Sequence, residues 1–130
     1  MEKDILIRTK NLSKYYAVGD ETIKALDDVN LEIERGQIVA ILGTSGSGKS
    51  TLLNMLAGLE RPTKGEVQIG KFRIDELSEA QLTKFRQRYT GFIFQAYNLL
   101  PTLTALENVA FPLCFRGVDK QVREKKAFEM

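Results

Sequence analysis

A glycine-rich run, residues 43–51, limits the folds open to this chain more than any other part of its sequence. It reads GTSGSGKST and fits the pattern G-x-x-x-x-G-K-[ST], which requires a strand before the loop and a helix after it. Residues 38–42 form a continuous, partly β-branched apolar run, typical of a strand buried on both faces. Leu52, Met55, Leu56 and Leu59 recur at helical spacing. We therefore predict a strand over residues 37–42 and a helix that follows the loop and ends at Arg61-Pro62.

The loop has the chemistry of a phosphate site. A helix start leaves backbone N–H groups without intrahelical partners and carries partial positive charge. Glycines at 43, 46 and 48 would let the backbone approach a phosphate closely. Lys49 would reach the β- and γ-phosphates, and the Ser50 hydroxyl would bind Mg²⁺. The alternative is a flexible Gly/Ser loop with a surface lysine. The motif alone does not distinguish kinases, GTPases, helicases and transporters. The predicted nucleotide-binding residues of the loop are Gly43, Thr44, Ser45, Gly46, Ser47, Gly48, Lys49, Ser50 and Thr51.

The other local patterns predict a mixed α/β chain. Short apolar runs indicate strands over residues 5–8, 66–69 and 91–94. Partial alternation over residues 22–34 indicates a half-buried strand, preceded by a turn at Gly19-Asp20 and broken by one at Asp27-Asp28. Two capping boxes predict helix starts, and a charged helix is expected from Asp119 onward; the boxes pair Ser78 with Gln81 and Thr104 with Glu107.

Composition excludes several kinds of site. There is no histidine, so histidine-based triads and imidazole metal sites are excluded. The net charge is only +2, and basic and acidic residues are mixed along the chain, which argues against a protein that binds nucleic acid mainly by neutralising phosphates. The single Cys114 excludes an intrachain disulfide and is interpreted as a small buried hydrophobe. The longest uncharged stretch, residues 89–106, is too polar to cross a bilayer, so a membrane role would need a partner.

Two stretches of the chain resemble the ATP-binding subunit of ABC transporters. They are residues 12–67, which include the loop, and residues 89–113. The resemblance is greatest to the subgroup that serves lipoprotein-release and macrolide-export systems. It implies an α/β fold: a P-loop NTPase-type core with an antiparallel β edge subdomain and the start of a helical subdomain, truncated. Residues 1–130 would be the N-terminal part of an ABC-type ATP-binding domain, with a Q-loop region at residues 91–100.

Further site residues follow from this resemblance alone. Tyr16 matches the aromatic residue that stacks on adenine, although it could instead be a strand-edge aromatic, and Tyr15 is easily mistaken for it. Gln95 matches the Q-loop glutamine, which would touch Mg²⁺ or the attacking water. Ser50 and Gln95 are thus the expected metal-binding residues.

Other parts of the family pattern do not occur in these 130 residues. There is no LSGGQ-type signature, no apolar run ending in Asp-Glu and no switch histidine, and Thr44 stands where many relatives have proline. We therefore assign no catalytic residue and expect MgATP binding with little turnover. In the family, the strand that ends in the missing aspartate lies beside the strand that leads into the loop. Without it, residues 38–42 would form an unpaired apolar edge, which we expect to promote dimerisation, element swapping or packing on a further part of the protein.

The resemblance implies two partners, a membrane permease subunit and a second ATP-binding subunit in a homodimer. The permease would couple ATP hydrolysis to export or lipoprotein release. The implied location is cytoplasmic, peripheral on the inner face of the cell membrane. The alternatives are a short nucleotide-binding regulatory module that titrates the permease and a different P-loop enzyme, such as a small-molecule kinase. The kinase is disfavoured because no second basic cluster suits an acceptor phosphate.

Overall fold

The structure is a computed structural model that describes residues 4–130, so the first three residues of the predicted domain lie outside the described part. The chain divides into two compact units, one ending at Arg86 and the other comprising Gln87–Met130. The two units are described separately below.

The first unit contains an antiparallel sheet with the strand order β2-β1-β3-β4. The strands are β1 (Ile5–Val18), β2 (Glu21–Glu34), β3 (Lys64–Ile69) and β4 (Phe72–Arg73). The turn at Gly19-Asp20 is confirmed as the two-residue connection between β1 and β2, with Gly19 at φ 61°. The strand predicted over residues 5–8 is the beginning of a much longer strand, because β1 pairs with β2 on one side and β3 on the other.

The predicted turn at Asp27-Asp28 is wrong, because β2 continues through both residues. The irregularity there is a disturbance of the β1–β2 register opposite Asn11. Asn11 and Asp28 have φ values of 48° and 57°, a conformation that asparagine and aspartate adopt more readily than other non-glycine residues. The Asn11 side chain donates to the Asp28 carboxylate, and the Asp28 N–H donates to Ser13 Oγ at 3.0 Å. Local side-chain bonds thus compensate for the interrupted ladder.

Two helices complete the first unit, α1 (Lys49–Leu56) and α2 (Glu79–Tyr89), the second of which extends three residues past the boundary. The predicted capping box of α2 is confirmed by bonds in both directions between Ser78 and Gln81. Helix α1 ends earlier than predicted, because Gly58 takes φ 69° and donates to the Met55 carbonyl at 3.0 Å. The core joins both helices to the sheet through buried side chains: Leu12, Leu26, Leu52, Met55, Leu56, Val67, Ile74, Leu82 and Phe85.

The predicted strands over residues 37–42 and 91–94 are absent from the described structure. Neither segment has a β partner there, and Ile38, Leu42 and Ile93 are 102%, 90% and 98% exposed. An extended segment becomes a strand only when a neighbour satisfies its backbone N–H and C=O groups. Residues 38–42 thus have no β partner in the described structure, but they form neither the buried strand nor the strand edge that the sequence predicts.

The second unit contains α3 (Ala105–Cys114) and α4 (Lys120–Phe128). The capping box of Thr104 and Glu107 is confirmed, and Asp119 caps α4 by accepting from the Gln121 N–H at 2.9 Å. Cys114 is half-buried rather than fully buried. Among the described residues, no helix has the length and apolar character needed to cross a membrane.

Candidate functional site

The glycine-rich loop of residues 43–51 leads into α1, which begins at Lys49. Gly48 is the N-cap of this helix and takes a left-handed conformation, with φ 86° and ψ 5°. A Cβ on Gly48 would clash with the Ala25 carbonyl oxygen of β2 and lie 2.9 Å from Leu26 Cδ2. Glycine is thus required at this position both by its backbone conformation and by the close approach of the loop to the sheet.

The other two glycines of the motif have different surroundings. Gly46 also has a positive φ of 79°, but open space surrounds the position of its missing side chain. A Cβ on Gly43 would lie 2.5 Å from Ser47 Oγ and 3.8 Å from Lys49 Cδ. Gly43 therefore faces the inside of the loop, where Ser47 comes too close to leave room for a side chain.

The Lys49 side chain turns back into the loop. Its ammonium group donates to the carbonyl oxygens of Gly43 and Thr44 at 2.8 and 2.6 Å and contacts Ser47 Oγ at 3.2 Å. An ammonium group has three donors, and all three acceptors come from the loop itself. The structure thus brings Gly43, Thr44, Ser47 and Lys49 together as one cationic cluster, next to Gly48 at the start of α1. Ser45, Gly46 and Ser50 lie at its exposed surface, and Thr51 is half-buried behind it.

Tyr16 lies on β1 close to the end of this loop. Its hydroxyl donates to Glu60 Oε1 at 2.7 Å. Burial and this hydrogen bond raise the pKa of Tyr16, while a hydrogen bond with the Thr51 side chain opposes the shift. The phenol is therefore held beside the first turn of α1. Tyr16 pairs with Ile23 of β2 but has no strand partner on its other side, because β1 pairs with β3 only as far as Ser13, so both predicted interpretations of this residue agree with its position.

Glu60 and Lys14 are not among the residues predicted for the site. Burial raises the pKa of Glu60, but hydrogen bonds from Tyr16 and Lys14 outweigh it and hold the pKa below its ordinary value. The Lys14 ammonium lies 3.1 Å from Glu60 Oε1 and 5.2 Å from the centroid of the Tyr16 ring. No sequence motif marks Glu60; after Gly58 the chain returns to β1, where Lys14 donates to the Arg61 carbonyl oxygen.

Tyr15 is separated from this cluster by the alternation of side chains along a strand. Its hydroxyl donates to Asp27, and the ammonium groups of Lys24 and Lys64 lie 5.4 and 5.7 Å from its ring centroid. The hydrogen bonds from Tyr15 and then Lys24 lower the pKa of Asp27. The two adjacent tyrosines therefore have different carboxylate partners.

Gln95 belongs to the second unit, where it lies exposed in the irregular segment before α3. The later part of this segment is fixed by Asn108 of α3. The Asn108 amide accepts from the Leu100 N–H at 2.8 Å and donates to the carbonyl oxygens of Leu100, Leu103 and Thr104 at 3.0 to 3.1 Å. The two predicted metal-binding residues, Ser50 and Gln95, thus belong to different units. No cluster of three or more acidic or thiol side chains suited to a metal occurs between residues 4 and 130.

A sequence model of the family described as ABC transporter matches residues 26–130. The chain belongs to this family. It is 47% identical over 127 residues to an uncharacterized ABC transporter ATP-binding protein of Methanocaldococcus jannaschii, MJ0796, covering 95% of this chain and 54% of that protein. It is 42% identical over 127 residues to the lipoprotein-releasing system ATP-binding protein LolD of Chromohalobacter salexigens, covering 98% of this chain and 54% of that protein.

Solved structures of ABC transporter cassettes share the fold. A dimeric, post-hydrolysis structure of the cassette MJ0796 bound to ADP and Pi has a TM-score of 0.89 and 46% identity, covering 95% of this chain and 55% of that one. The predicted fold class and family resemblance are thereby confirmed. The chain spans about half the length of the ATP-binding proteins described above.

Proposed function

We propose that this chain is the MgATP-binding part of an ABC transporter ATPase. The observation that carries the proposal is the Lys49 ammonium, which lies among three oxygen acceptors inside a loop that ends at a helix start. These acceptors are neutral, whereas phosphate oxygens are charged. Charge-assisted hydrogen bonds are roughly twice as strong as neutral ones, so a bound phosphate would compete well for Lys49.

The surrounding residues fit a nucleotide phosphate. The lack of a side chain at Gly43 lets Ser47 and Lys49 approach the loop backbone closely, and the start of α1 presents N–H groups to an anion. The Ser50 hydroxyl is exposed at the second residue of α1 and supplies a hard oxygen of the kind Mg²⁺ prefers. Mg²⁺ sites of this type use few protein ligands because substrate phosphates and water complete the coordination.

Tyr16 would bind the adenine ring. The support is its position beside Thr51, together with a half-buried ring whose hydroxyl is already hydrogen-bonded. An aromatic ring in this position can stack on a nucleobase while its polar tip keeps its partner.

The wider transport function is part of the same proposal. The relatives include a lipoprotein-releasing ATP-binding protein and macrolide export ATP-binding/permease proteins, and the cassette MJ0796 has been solved as a dimer. By analogy, this chain would act with a membrane permease and a second ATP-binding subunit at the cytoplasmic face of the cell membrane. Hydrolysis would be coupled to export or lipoprotein release. The 130 residues alone would bind MgATP with little turnover, because no apolar run in them ends in an Asp-Glu pair, whose glutamate positions the attacking water in the family.

Calorimetric titration of MgATP into the 130-residue chain tests the binding function. Lys49→Ala should weaken binding about 10- to 100-fold, the value of a hydrogen bond to a charged group. Lys84→Ala, the same substitution at an exposed position of α2, should leave the affinity unchanged. Circular dichroism should show that both variants keep their helices. Equal affinity of the wild-type chain and Lys49→Ala would contradict the proposed phosphate site.

A further inference from the structure

We propose that Glu60, supported by Lys14, is a positioning residue that fixes the ring of Tyr16 for contact with the nucleobase. This inference rests on the proposed function. It extends the proposed nucleotide site to two residues outside the glycine-rich loop, Glu60 and Lys14, and gives this ion pair a role in binding.

The contacts form a closed triangle. The Tyr16 hydroxyl donates to Glu60 Oε1 at 2.7 Å, and the Lys14 ammonium lies 3.1 Å from the same oxygen. Lys14 also lies 5.2 Å from the centroid of the Tyr16 ring, within the range of a cation–π contact. The ring is thus held at its hydroxyl by a carboxylate and beside its π system by a cation. The side chains of Lys14 and Glu60 are only 17% and 25% exposed, so solvent screens these contacts less than it would at an open surface.

The carboxylate is itself held in place by the backbone. After the Gly58 cap the chain turns back, and the Glu60 N–H donates to the Asn54 carbonyl oxygen at 3.3 Å. Lys14 donates to the Arg61 carbonyl oxygen at 2.9 Å, which ties β1 to the residue that follows Glu60. Glu60, which holds Tyr16, is therefore itself held by α1, the same helix whose start would receive the phosphates.

This arrangement favours a pre-organised platform for the base. A tyrosine has two side-chain torsions, and ordering such a side chain on binding costs affinity. The bond to Glu60 fixes these torsions before the ligand arrives. Loss of the anchor should weaken nucleotide binding about two- to tenfold, and this loss should depend on the presence of a base.

Two ligands separate base contacts from phosphate contacts: MgATP and magnesium tripolyphosphate, which has the phosphates without the nucleoside. Tyr16→Phe keeps the ring and removes the hydroxyl, and Glu60→Ala removes the acceptor. Each should weaken MgATP binding about two- to tenfold and leave tripolyphosphate binding unchanged. Because both variants break the same bond, the double variant should lose little more MgATP affinity than the single variant that binds MgATP less tightly.

Two controls accompany these variants. Glu60→Gln retains an acceptor for the Tyr16 hydroxyl and should restore most of the MgATP affinity. Tyr15→Phe removes a comparable bond to a carboxylate, that of Asp27, and should change neither affinity.

The outcomes distinguish the inference from the function on which it rests. Unchanged MgATP affinity in Tyr16→Phe and Glu60→Ala would overturn the inference alone, and so would an equal loss for both ligands, which indicates a general structural role. Failure of the wild-type chain to bind either ligand would overturn the proposed function and the inference with it. If the wild-type chain bound tripolyphosphate as tightly as MgATP, the base would contribute nothing to the affinity. That result would overturn the role proposed for Tyr16 and Glu60 but not the proposed phosphate site.

Discussion

The two apolar segments that flank the glycine-rich loop differ in burial. On one side, α1 buries Leu52, Met55 and Leu56 in the core of the first unit. On the other side, residues 37–42 form no strand in the described structure, and Ile38 and Leu42 are almost fully exposed. Both segments are strongly apolar, so hydrophobicity alone does not account for the difference.

Their hydrogen bonds account for it. A helix makes its backbone hydrogen bonds within its own segment, so α1 needs only a surface on which to place its apolar side. A strand satisfies its backbone groups through another strand, and the antiparallel sheet of the first unit is composed of other segments of the chain. The glycine-rich loop therefore has one firmly packed end and one open end.

Paired alanine substitutions in the two flanks provide the strongest test of this contrast. Met55 is 1% exposed, so Met55→Ala should lower the free energy of unfolding by about 2 to 5 kcal/mol through lost contacts and a cavity. Leu42 is 90% exposed, so Leu42→Ala should change it by less than about 0.5 kcal/mol. Urea unfolding followed by circular dichroism measures both. A large loss for Leu42→Ala would show that residues 37–42 are buried in solution.

The loop glycines give a second, smaller contrast. Gly48→Ala should destabilise the first unit by about 2 kcal/mol or more, because the new Cβ meets a left-handed backbone and the Ala25 carbonyl. Gly46→Ala should cost about 1 kcal/mol, since only the backbone conformation is unfavourable there. Thermal unfolding of the two variants measures the difference. Equal losses would mean that the loop does not pack closely against β2.

The second unit allows the same test of local bonding. Thr104 accepts from the Glu107 N–H at 3.3 Å, and the Thr104 N–H donates to the Glu107 carboxylate at 2.8 Å. Thr104→Ala should therefore destabilise α3 by about 1 kcal/mol, and Thr104→Ser should restore most of it. Amide hydrogen exchange in the first turn of α3 reports the effect. Unchanged protection in Thr104→Ala would show that the cap contributes nothing to this helix.

The same distinction explains which features could be predicted from the sequence. Both capping boxes, the Gly19-Asp20 turn and the start of α1 depend on neighbouring residues, and all are confirmed. The strands over residues 37–42 and 91–94 depend on distant partners, and those predictions are wrong for the described structure. The residues of the glycine-rich loop could be predicted because they form one contiguous motif. The contact of Glu60 with Tyr16 spans 44 positions, so no local pattern indicates it.

The pH dependence of that contact is the smallest effect that we expect. Although burial raises the pKa of Glu60, hydrogen bonds from Tyr16 and Lys14 outweigh it and hold the pKa below its ordinary value, so ionised Glu60 stabilises the fold at neutral pH. That contribution is lost as the pH falls through the lowered pKa. At about pH 7, Glu60→Gln should cost less than about 1 kcal/mol, as is usual for partly exposed ion pairs. The difference from the wild type should shrink between about pH 5 and 3, measured by urea unfolding at each pH. A difference that stays constant over this range would show that Glu60 contributes through packing rather than charge, since Tyr16 and Lys14 would then gain nothing from its ionisation.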